Sequence, residues 1–260
     1  MALLHVVVPV FNERSTLGPC LERVVAVELP PGYRIAVWIV DDHSAPDAFR
    51  VAEDIAGELA ASGHRIELLR HAVNRGKGAA LQSGFDRILA SASDDDLVVV
   101  QDADLEYDPR DFPALMTPVV AGRADVSIGS RWGAQYDARG LKRRIHVLGN
   151  LLLTRLSNAM TGLGVNDMEC CYKLLPIPVL RRVRPALSEE RFGIEPQLIA
   201  TAARLGLRIA EVPVRYDPRS LAAGKKIGWK DGVRAIVVIA RERWRRPLPL
   251  PGDAPVEEHT

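Results

Sequence analysis

The first half of the chain alternates short, β-branched apolar runs with stretches of helix length, and this rhythm constrains the fold more than any single motif. "LLHVVVPV" (3–10) reads as a fully buried strand, with Pro9 near its end, where a missing backbone donor is tolerated. "STLGPCLERVVAVE" follows as a helix, with Ser15 or Thr16 as its N-cap. The alternation continues through a strand at 34–40, a helix at 47–62, a strand at 65–70, a helix at 78–91, "DLVVVQD" (96–102), a helix at 110–121 and "DVSIGS" (125–130). Strands separated by helix-length segments predict right-handed βαβ units. The expected class is therefore α/β, with a mainly parallel central sheet flanked by helices.

In such sheets ligands bind beyond the carboxyl ends of the strands. "PVFNE" follows the first strand, "VDDHS" the second, "QDADLE" the fourth and "GSRW" the fifth. Each is polar and charged where a purely structural turn more often uses Gly, Asn or Pro. Four such edges on one rim make a site. The sharpest is "VVVQDADLEYDP" (98–109), where Asp102 and Asp104 stand one residue apart. On extended backbone, i and i+2 side chains point the same way, so the two charges converge. They repel unless a cation or a proton lies between them. An isolated D-x-D more often marks a solvated acidic loop, so the pair gains weight only from its neighbours.

One such neighbour is "NRGKG" (74–78), a Gly-flanked basic element at the start of a predicted helix. It reads either as a flexible loop with two solvated charges or as an anion site made by Arg75, Lys77 and helix N-terminal amides. Asp102 and Asp104 are hard oxygen ligands of the kind that suit Mg²⁺ or Mn²⁺. A divalent cation beside basic residues is the arrangement expected for a bound diphosphate. There is no G-x-x-x-x-G-K-[ST] and no G-x-G-x-x-G after a strand.

The second half is less regular. Residues 139–162 read as largely helical, "DMECCYKLLP" (167–176) as a strand or extended segment, 195–206 as a helix closed by Gly206, and 207–216 as a strand. In the helix expected at 228–246, Trp229, Val233, Ile236, Ala240 and Trp244 form one apolar face. From Lys225 to Arg246 the net charge is +6. Either that face packs on the core with its charges in water, or the helix lies against anionic lipid. The tail 247–260 is expected to be disordered.

Composition adds mainly exclusions. Apolar residues make up 47% and charged residues 26% of 260, as in soluble globular proteins, and the net charge is +1. No apolar run approaches the 18 residues of a membrane span, and the start reads as a strand, not a signal peptide. The three cysteines include the adjacent Cys170 and Cys171, giving neither a disulfide framework nor C-x-x-C spacing. The expected compartment is the reducing cytoplasm, extending to the inner face of the membrane. "SDDD" (93–96) reads as a solvated turn, and Cys170 and Cys171 as inert. His146 reads as a surface or core residue before a phosphate contact. Glu195 is balanced between capping a helix and touching substrate. No nucleic-acid-binding motif accompanies the basic run.

"PVFNE", "VDDHS", "NRGKGAALQSGF", "QDADLEYDP", "GSRW" and "DMECCYKLL", taken in order, resemble glycosyltransferase family 2. The likeness is to its dolichyl- and polyprenyl-phosphate hexosyltransferase branch and covers about residues 3 to 240. It implies the glycosyltransferase A (Rossmann-like) fold, a UDP- or GDP-sugar donor, a Mg²⁺ or Mn²⁺ ion, and inverting transfer of a hexose to a polyprenyl phosphate. On this likeness Pro9, Phe11, Asn12 and Glu13 line the base and ribose pocket, with Phe11 where the family more often has Tyr. Asp41 and Asp42 meet the base and ribose, and Arg75, Lys77 and Ala103 lie near the nucleotide. Asp102 and Asp104 bind the metal, and Lys225 and Lys226 sit on a basic loop that closes on the donor diphosphate. Arg131, with Arg143 and Arg144, holds acceptor and donor phosphates.

His43 replaces the Gly usual in "DDGS", so the turn must be made without Gly's freedom. Asp167 is the implied catalytic carboxylate, with Glu169 its competitor. A phosphate acceptor is already an anion at neutral pH and gives a general base little to do, so Asp167 would then position groups. One catalytic domain over 1–246 is expected, its nucleotide-binding half at 1–130 and its acceptor half at 131–246. Three rivals stand beside this reading. They are the same donor chemistry on a soluble sugar or small alcohol, a sugar-phosphate nucleotidylyltransferase, and a non-catalytic membrane-surface module. The absence of a Gly-rich loop with Arg and Lys after the first strand argues against the second.

Overall fold

A computed structural model describes residues 1–132, 141–218 and 229–245, and all of their side chains except those of 141–146 and 229–231. Lys225, Lys226, the side chains of Arg143, Arg144, His146 and Trp229, and the tail 247–260 lie outside the described residues.

Among the described residues, seven strands form one sheet: β1 (Ala2–Val10), β2 (Tyr33–Asp41), β3 (Arg65–Arg70), β4 (Leu97–Val100), β5 (Val126–Ser130), β6 (Lys173–Pro176) and β7 (Ile209–Pro213). Their order is β3-β2-β1-β4-β6-β5-β7. Only β6 runs against its neighbours, β4 and β5. The carboxyl ends of the other six therefore share one rim with the amino end of β6. The central strands are covered on both faces, which is why they read as unbroken apolar runs. Leu4, Val6, Val7, Val8, Val98 and Val99 are wholly buried.

The helices between them are α1 (Leu17–Val25), α2 (Pro46–Ala61), α3 (Lys77–Leu89), α4 (Phe112–Val120), α5 (Leu141–Thr161), α6 (Ile177–Val183), α7 (Ile194–Arg204) and α8 (Trp229–Trp244). α3 packs on β1 and β2, whereas α5, α7 and α8 pack on one another. Gly206, with φ of 64°, closes α7 in the left-handed conformation that favours glycine.

Four local readings are corrected. Thr16 sits at the N-cap of α1, but its hydroxyl donates to Glu13 Oε2 (2.7 Å) and not to the helix. The segment 167–172 forms turns, and only Lys173–Pro176 is strand. β4 ends at Val100, so Asp102 and Asp104 stand on a turn beyond it, where Leu105 takes φ of 63°. Asp96, in "SDDD", is buried: it accepts from the amides of Leu3 (2.7 Å) and Ser93 (2.9 Å) and bonds His5 Nε2. Trp38 Nε1 donates to His5 Nδ1 (2.9 Å), and burial lowers the His5 pKa, so the ring is neutral with its proton on Nε2.

Of the two readings of α8, core packing by the expected apolar face is corrected, because Val233, Ile236 and Trp244 of that face are exposed. Ala235, Val238, Ile239 and Glu242 are buried, while Val233, Ile236, Val237 and Trp244 are exposed. Two buried glutamates gather arginines on this side, Glu189 from the segment before α7 and Glu242 of α8 itself. Glu189 is gripped by Arg234 (2.9 Å) and Arg241 (2.8 Å), and Glu242 by Arg204 (2.8 Å), Arg245 (3.0 Å) and Gln197 Nε2 (3.0 Å). Leu148 and Leu152 of α5 are also exposed, so two helices in contact present an apolar surface. Such clustered exposure marks an interaction site more often than chance.

The Glu242 carboxylate is the buried anion on which Arg204, Arg245 and Gln197 converge, and deleting it removes the charge that draws them together. Glu242→Ala is expected to lower unfolding stability by about 3 kcal/mol, since breaking one partner of a buried ion pair typically costs that much. Urea titration of the variant against the parent measures it; a midpoint unchanged at equal slope would mean that the Glu242 pairs add nothing to the docking of α8.

Candidate active site

A cavity of about 340 Å³ opens on the common rim. Pro9, Val10, Phe11 and Glu13 reach it from the end of β1, and Asp42 from β2. Asn74, Gly76, Lys77 and Ala80 come from the entry to α3, and Asp102, Ala103, Asp104, Glu106 and Tyr107 from the turn after β4. Arg131 follows β5, Glu169 precedes β6, Arg191, Phe192 and Glu195 come from the start of α7, and Tyr216 follows β7. Strand order thus lays the lining out along a line. The β1–β2 end carries Phe11 and Asp42, the β6–β5–β7 end carries Glu169, Arg131 and Tyr216, and the Asp102–Asp104 turn lies between them.

Asp42 is saturated by the chain. Its Oδ1 accepts from the Arg75 amide (2.8 Å) and meets His71 Nδ1 (2.7 Å), and its Oδ2 accepts from the Gly76 amide (2.6 Å). It fixes the loop that delivers Lys77. Gly76 takes φ of 105°, and a Cβ there would meet the Glu190 carbonyl, which accounts for the glycine. His43 adopts φ of 63°, so the turn is made without glycine as the sequence required.

Lys77 is the centre of the site. Its ammonium bonds Asp102 Oδ1 (2.8 Å) and Glu195 Oε1 (2.6 Å). Burial alone would lower its pKa, but the two carboxylates outweigh that and hold it well above the ordinary lysine value. Of the two readings of "NRGKG", the solvated loop is therefore excluded for Lys77. It fits Arg75, which pairs with Glu190 (2.8 Å) at the surface and does not line the cavity. Glu195 does not cap α7, whose N-cap is Gly193, and its side chain lines the cavity.

Asp167 and Glu169 part company. Asp167 is fully buried and takes the Nε–Nη2 edge of the Arg131 guanidinium, at 2.7 Å from Nε and 2.6 Å from Nη2, as well as the Arg131 amide (2.9 Å). It stands behind Arg131 and does not line the cavity; Glu169 does. Burial first, then the Glu195 charge, pushes the Glu169 carboxyl up to about 7. Lys173, itself buried, donates to the carbonyls of Met168 (3.2 Å) and Cys170 and so braces the turn that presents Glu169. Cys170 and Cys171 are buried with raised pKa values, which makes them inert.

Two other expected residues also lie off the cavity. Asn12 Oδ1 accepts from the Ala45 amide (2.9 Å) and ties the loop after β1 to that after β2, whereas Asp41 Oδ2 accepts from the Ser44 amide (3.1 Å) and closes the turn after β2. Tyr216, Arg191 and Phe192 line the cavity but carried no sequence signal of their own. Tyr216 was findable as the last residue of the strand expected at 207–216, on the same rim as the rest. A second cavity of about 320 Å³ shares Glu106, Tyr107, Arg131 and Tyr216 with the first and adds Arg23 and Arg215.

The donor set suits a hard divalent cation. Seven carboxyl groups line the main cavity against three cations. A polyphosphate entering it meets net repulsion unless a metal accompanies it. Among the described residues no three metal-ligating side chains converge, so Asp102 and Asp104 would supply only part of a coordination shell. That is the pattern of ions completed by phosphate oxygens and water.

The family model for "Glycosyl transferase family 2" matches residues 5–184. The chain belongs to glycosyltransferase family 2. Over 242 residues it is 29% identical to an undecaprenyl-phosphate mannosyltransferase of Micrococcus luteus, spanning 92% of each chain. It is 28% identical to a dodecaprenyl-phosphate galacturonate synthase of Rhizobium johnstonii, covering 85% of this chain but 61% of that one. In structure it superposes on glucosyl-3-phosphoglycerate synthase of Mycobacterium tuberculosis, solved with Mn²⁺, UDP and glucosyl-3-phosphoglycerate. That match has a TM-score of 0.64 and 21% identity, over 93% of this chain and 79% of the other. The fold is therefore glycosyltransferase A, as the motifs implied.

The raised Glu169 pKa carries a stability signature. The folded chain keeps a proton there that the unfolded chain, with its ordinary value of 4.5, gives up first. The stabilisation is full below about pH 4.5 and drains as pH rises towards 7, each tenfold difference in proton affinity between the two states being worth about 1.4 kcal/mol. Glu169→Gln should remove this slope. Urea midpoints of parent and variant, compared at pH 5 and pH 7.5, are expected to diverge in favour of the variant at the higher pH; parallel curves would place the carboxyl near its ordinary value.

Proposed function

We propose that this chain transfers a hexose from a nucleoside-diphosphate sugar to a polyprenyl phosphate, with inversion and with a divalent cation. The observation that carries the reading is the Asp102–Asp104 turn placed between the β1–β2 pocket and the Arg131 end of the rim. Base and ribose would occupy the side of Pro9, Phe11, Glu13 and Asp42. Asp104 and Asp102 would hold Mg²⁺ or Mn²⁺, which when bound neutralises the diphosphate and stabilises it as a leaving group. Lys77 would reach the same phosphates by loosening its hold on Asp102, and Arg191 lines the cavity as a further cation.

Several features favour a lipid phosphate as acceptor. Arg131 joins the two cavities and is locked by Asp167, so it presents a fixed cation without giving up its own carboxylate partner. A phosphate acceptor is deprotonated at neutral pH and needs no base, which matches an Asp167 sealed away from the cavity. The exposed Leu148, Leu152, Val233, Ile236, Val237 and Trp244 give a surface suited to resting on a bilayer. Among the described residues no helix is long and apolar enough to cross one. The relatives named for polyprenyl-phosphate substrates support the same assignment.

Radiolabelled transfer from UDP- and GDP-hexoses to undecaprenyl phosphate in detergent, with Mn²⁺, tests the reading. Asp104→Asn is expected to cut turnover at least 100-fold while leaving the fold intact by circular dichroism. Transfer to 3-phosphoglycerate or glycerol but to no prenyl phosphate would move the acceptor to the soluble class. Full turnover in Asp104→Asn would remove the metal from the mechanism.

A further inference from the structure

Arg191 is the one cation lining the main cavity that stands in no ion pair among the described residues. Lys77 is shared by Asp102 and Glu195, and Arg131 is bound to Asp167. Acids are not lacking beside Arg191, for two glutamates precede it in the chain. Each is engaged elsewhere: Glu190 pairs with Arg75 (2.8 Å), and Glu189 with Arg234 (2.9 Å) and Arg241 (2.8 Å) of α8. An entering anion can therefore take Arg191 without breaking a bond. Lys77 and Arg131 must first release a buried partner, which is costly.

The place of Arg191 is set from two sides. Residues 189–193 turn into α7 with Arg191 in their middle. On one side this turn lies against the start of α3. A Cβ at Gly76 would meet the Glu190 carbonyl at 2.6 Å and Arg191 Cγ at 2.8 Å, and a Cβ at Gly78 would meet the Glu189 carbonyl. The two glycines of "NRGKG" thus admit the 189–191 backbone. On the other side stands the Glu189 carboxylate. A Cβ at Gly193 would meet Glu189 Oε2 at 2.7 Å and Val238 Cγ2 of α8 at 3.1 Å. The turn that carries Arg191 therefore begins at Glu189 and closes against the same carboxylate, which α8 grips.

We infer that Arg191 binds the diphosphate of the donor and that α8 sets its position through Glu189. Its stem rests against Gly76, next to the lysine that bonds Asp102, at the end of α3 where the helix dipole favours an anion. The phosphates of a donor held at the Asp102–Asp104 turn are the anion in reach there; an acceptor phosphate belongs to the Arg131 end. A guanidinium can meet two phosphate oxygens at once, which an ammonium does less well. None of the described residues of α8 lines the cavity, so Arg234 and Arg241 are positioning residues that act through Glu189. The inference rests on the nucleotide-sugar reading above and extends its donor site to a helix outside the cavity.

Calorimetric titration of the full chain with UDP and with GDP, each with Mn²⁺, tests it. For whichever diphosphate binds the parent, Arg191→Ala is expected to weaken binding about 10-fold or more, the loss of one charge-assisted contact, and Arg191→Lys by less. Glu189→Gln and Arg234→Gln should each weaken it about threefold in the parent and not at all in the Arg191→Ala background, because residues that act through one partner do not add. Arg191→Ala binding as tightly as the parent overturns the diphosphate assignment and leaves the nucleotide-sugar reading in place. Equal losses in both backgrounds, or none in either, overturn the link to α8. If neither UDP nor GDP binds the parent, the proposed function falls and this inference with it. Arg234→Gln leaves Arg241 on Glu189, so it decides the link should Glu189→Gln fail to fold.

Discussion

The buried ammonium of Lys77 links three parts of the chain that are remote in sequence. Through Asp102 it reaches the turn after β4, through Glu195 the first turn of α7, and through its own position the N-terminus of α3. A lysine taken from water with one carboxylate would be a weak joint; with two it is a tight one, and the pair gains a counter-charge in a cavity that is otherwise mostly acidic. The geometry of that bridge depends in turn on Asp42, whose three contacts pin residues 71–76 and set where Lys77 begins. Loss of the ammonium would leave Asp102 and Glu195 facing one another across the gap it fills, and the turn and the helix would part.

Behind the cavity the same logic repeats with arginines. The segment 189–191 lies against the start of α3, where the Ala79 amide donates to the Glu190 carbonyl (2.9 Å) and Gln82 Nε2 donates to that of Glu189 (2.9 Å). The Glu189 side chain points the other way, into Arg234 and Arg241 of α8. One short segment therefore couples the outer helix to the cavity wall formed by Arg191 and Phe192. Three of its arginines, Arg234, Arg241 and Arg245, pair with two buried glutamates, one of them from another part of the fold.

The sheet was legible in the sequence because parallel strands covered on both faces must be continuous apolar runs, and the central ones are. The rim was legible for the same reason, since polar residues directly after such runs can only lie at one edge. What escaped was pairing between distant charges. Nothing local distinguishes Arg75, which lies at the surface with Glu190, from Lys77 two residues on, which is sealed between two acids. Asp41 and Asp42, adjacent and alike, divide between a structural turn and a cavity wall. In α8 the apolar periodicity is plain and its direction is not, because direction depends on Glu189, forty-five residues before Arg234. Helical period reports that two faces differ; only the surroundings decide which is buried.

The division of labour between Asp167 and Glu169 follows from the same electrostatics. A carboxylate matched edge to edge with a guanidinium, and bonded to the same residue's amide, is held in place, so Asp167 is suited to fixing Arg131. Glu169 has no such guanidinium partner among the described residues and its neighbour Glu195 is an acid, so burial and repulsion leave it poised near neutrality. In a site working on an acceptor alcohol, such a group would be the natural base. With a phosphate acceptor there is no proton to remove, and a base at this position would have nothing to do. The chemistry of the acceptor thus decides what Glu169 is for, and the locked Arg131–Asp167 pair beside it is what a phosphate acceptor would require.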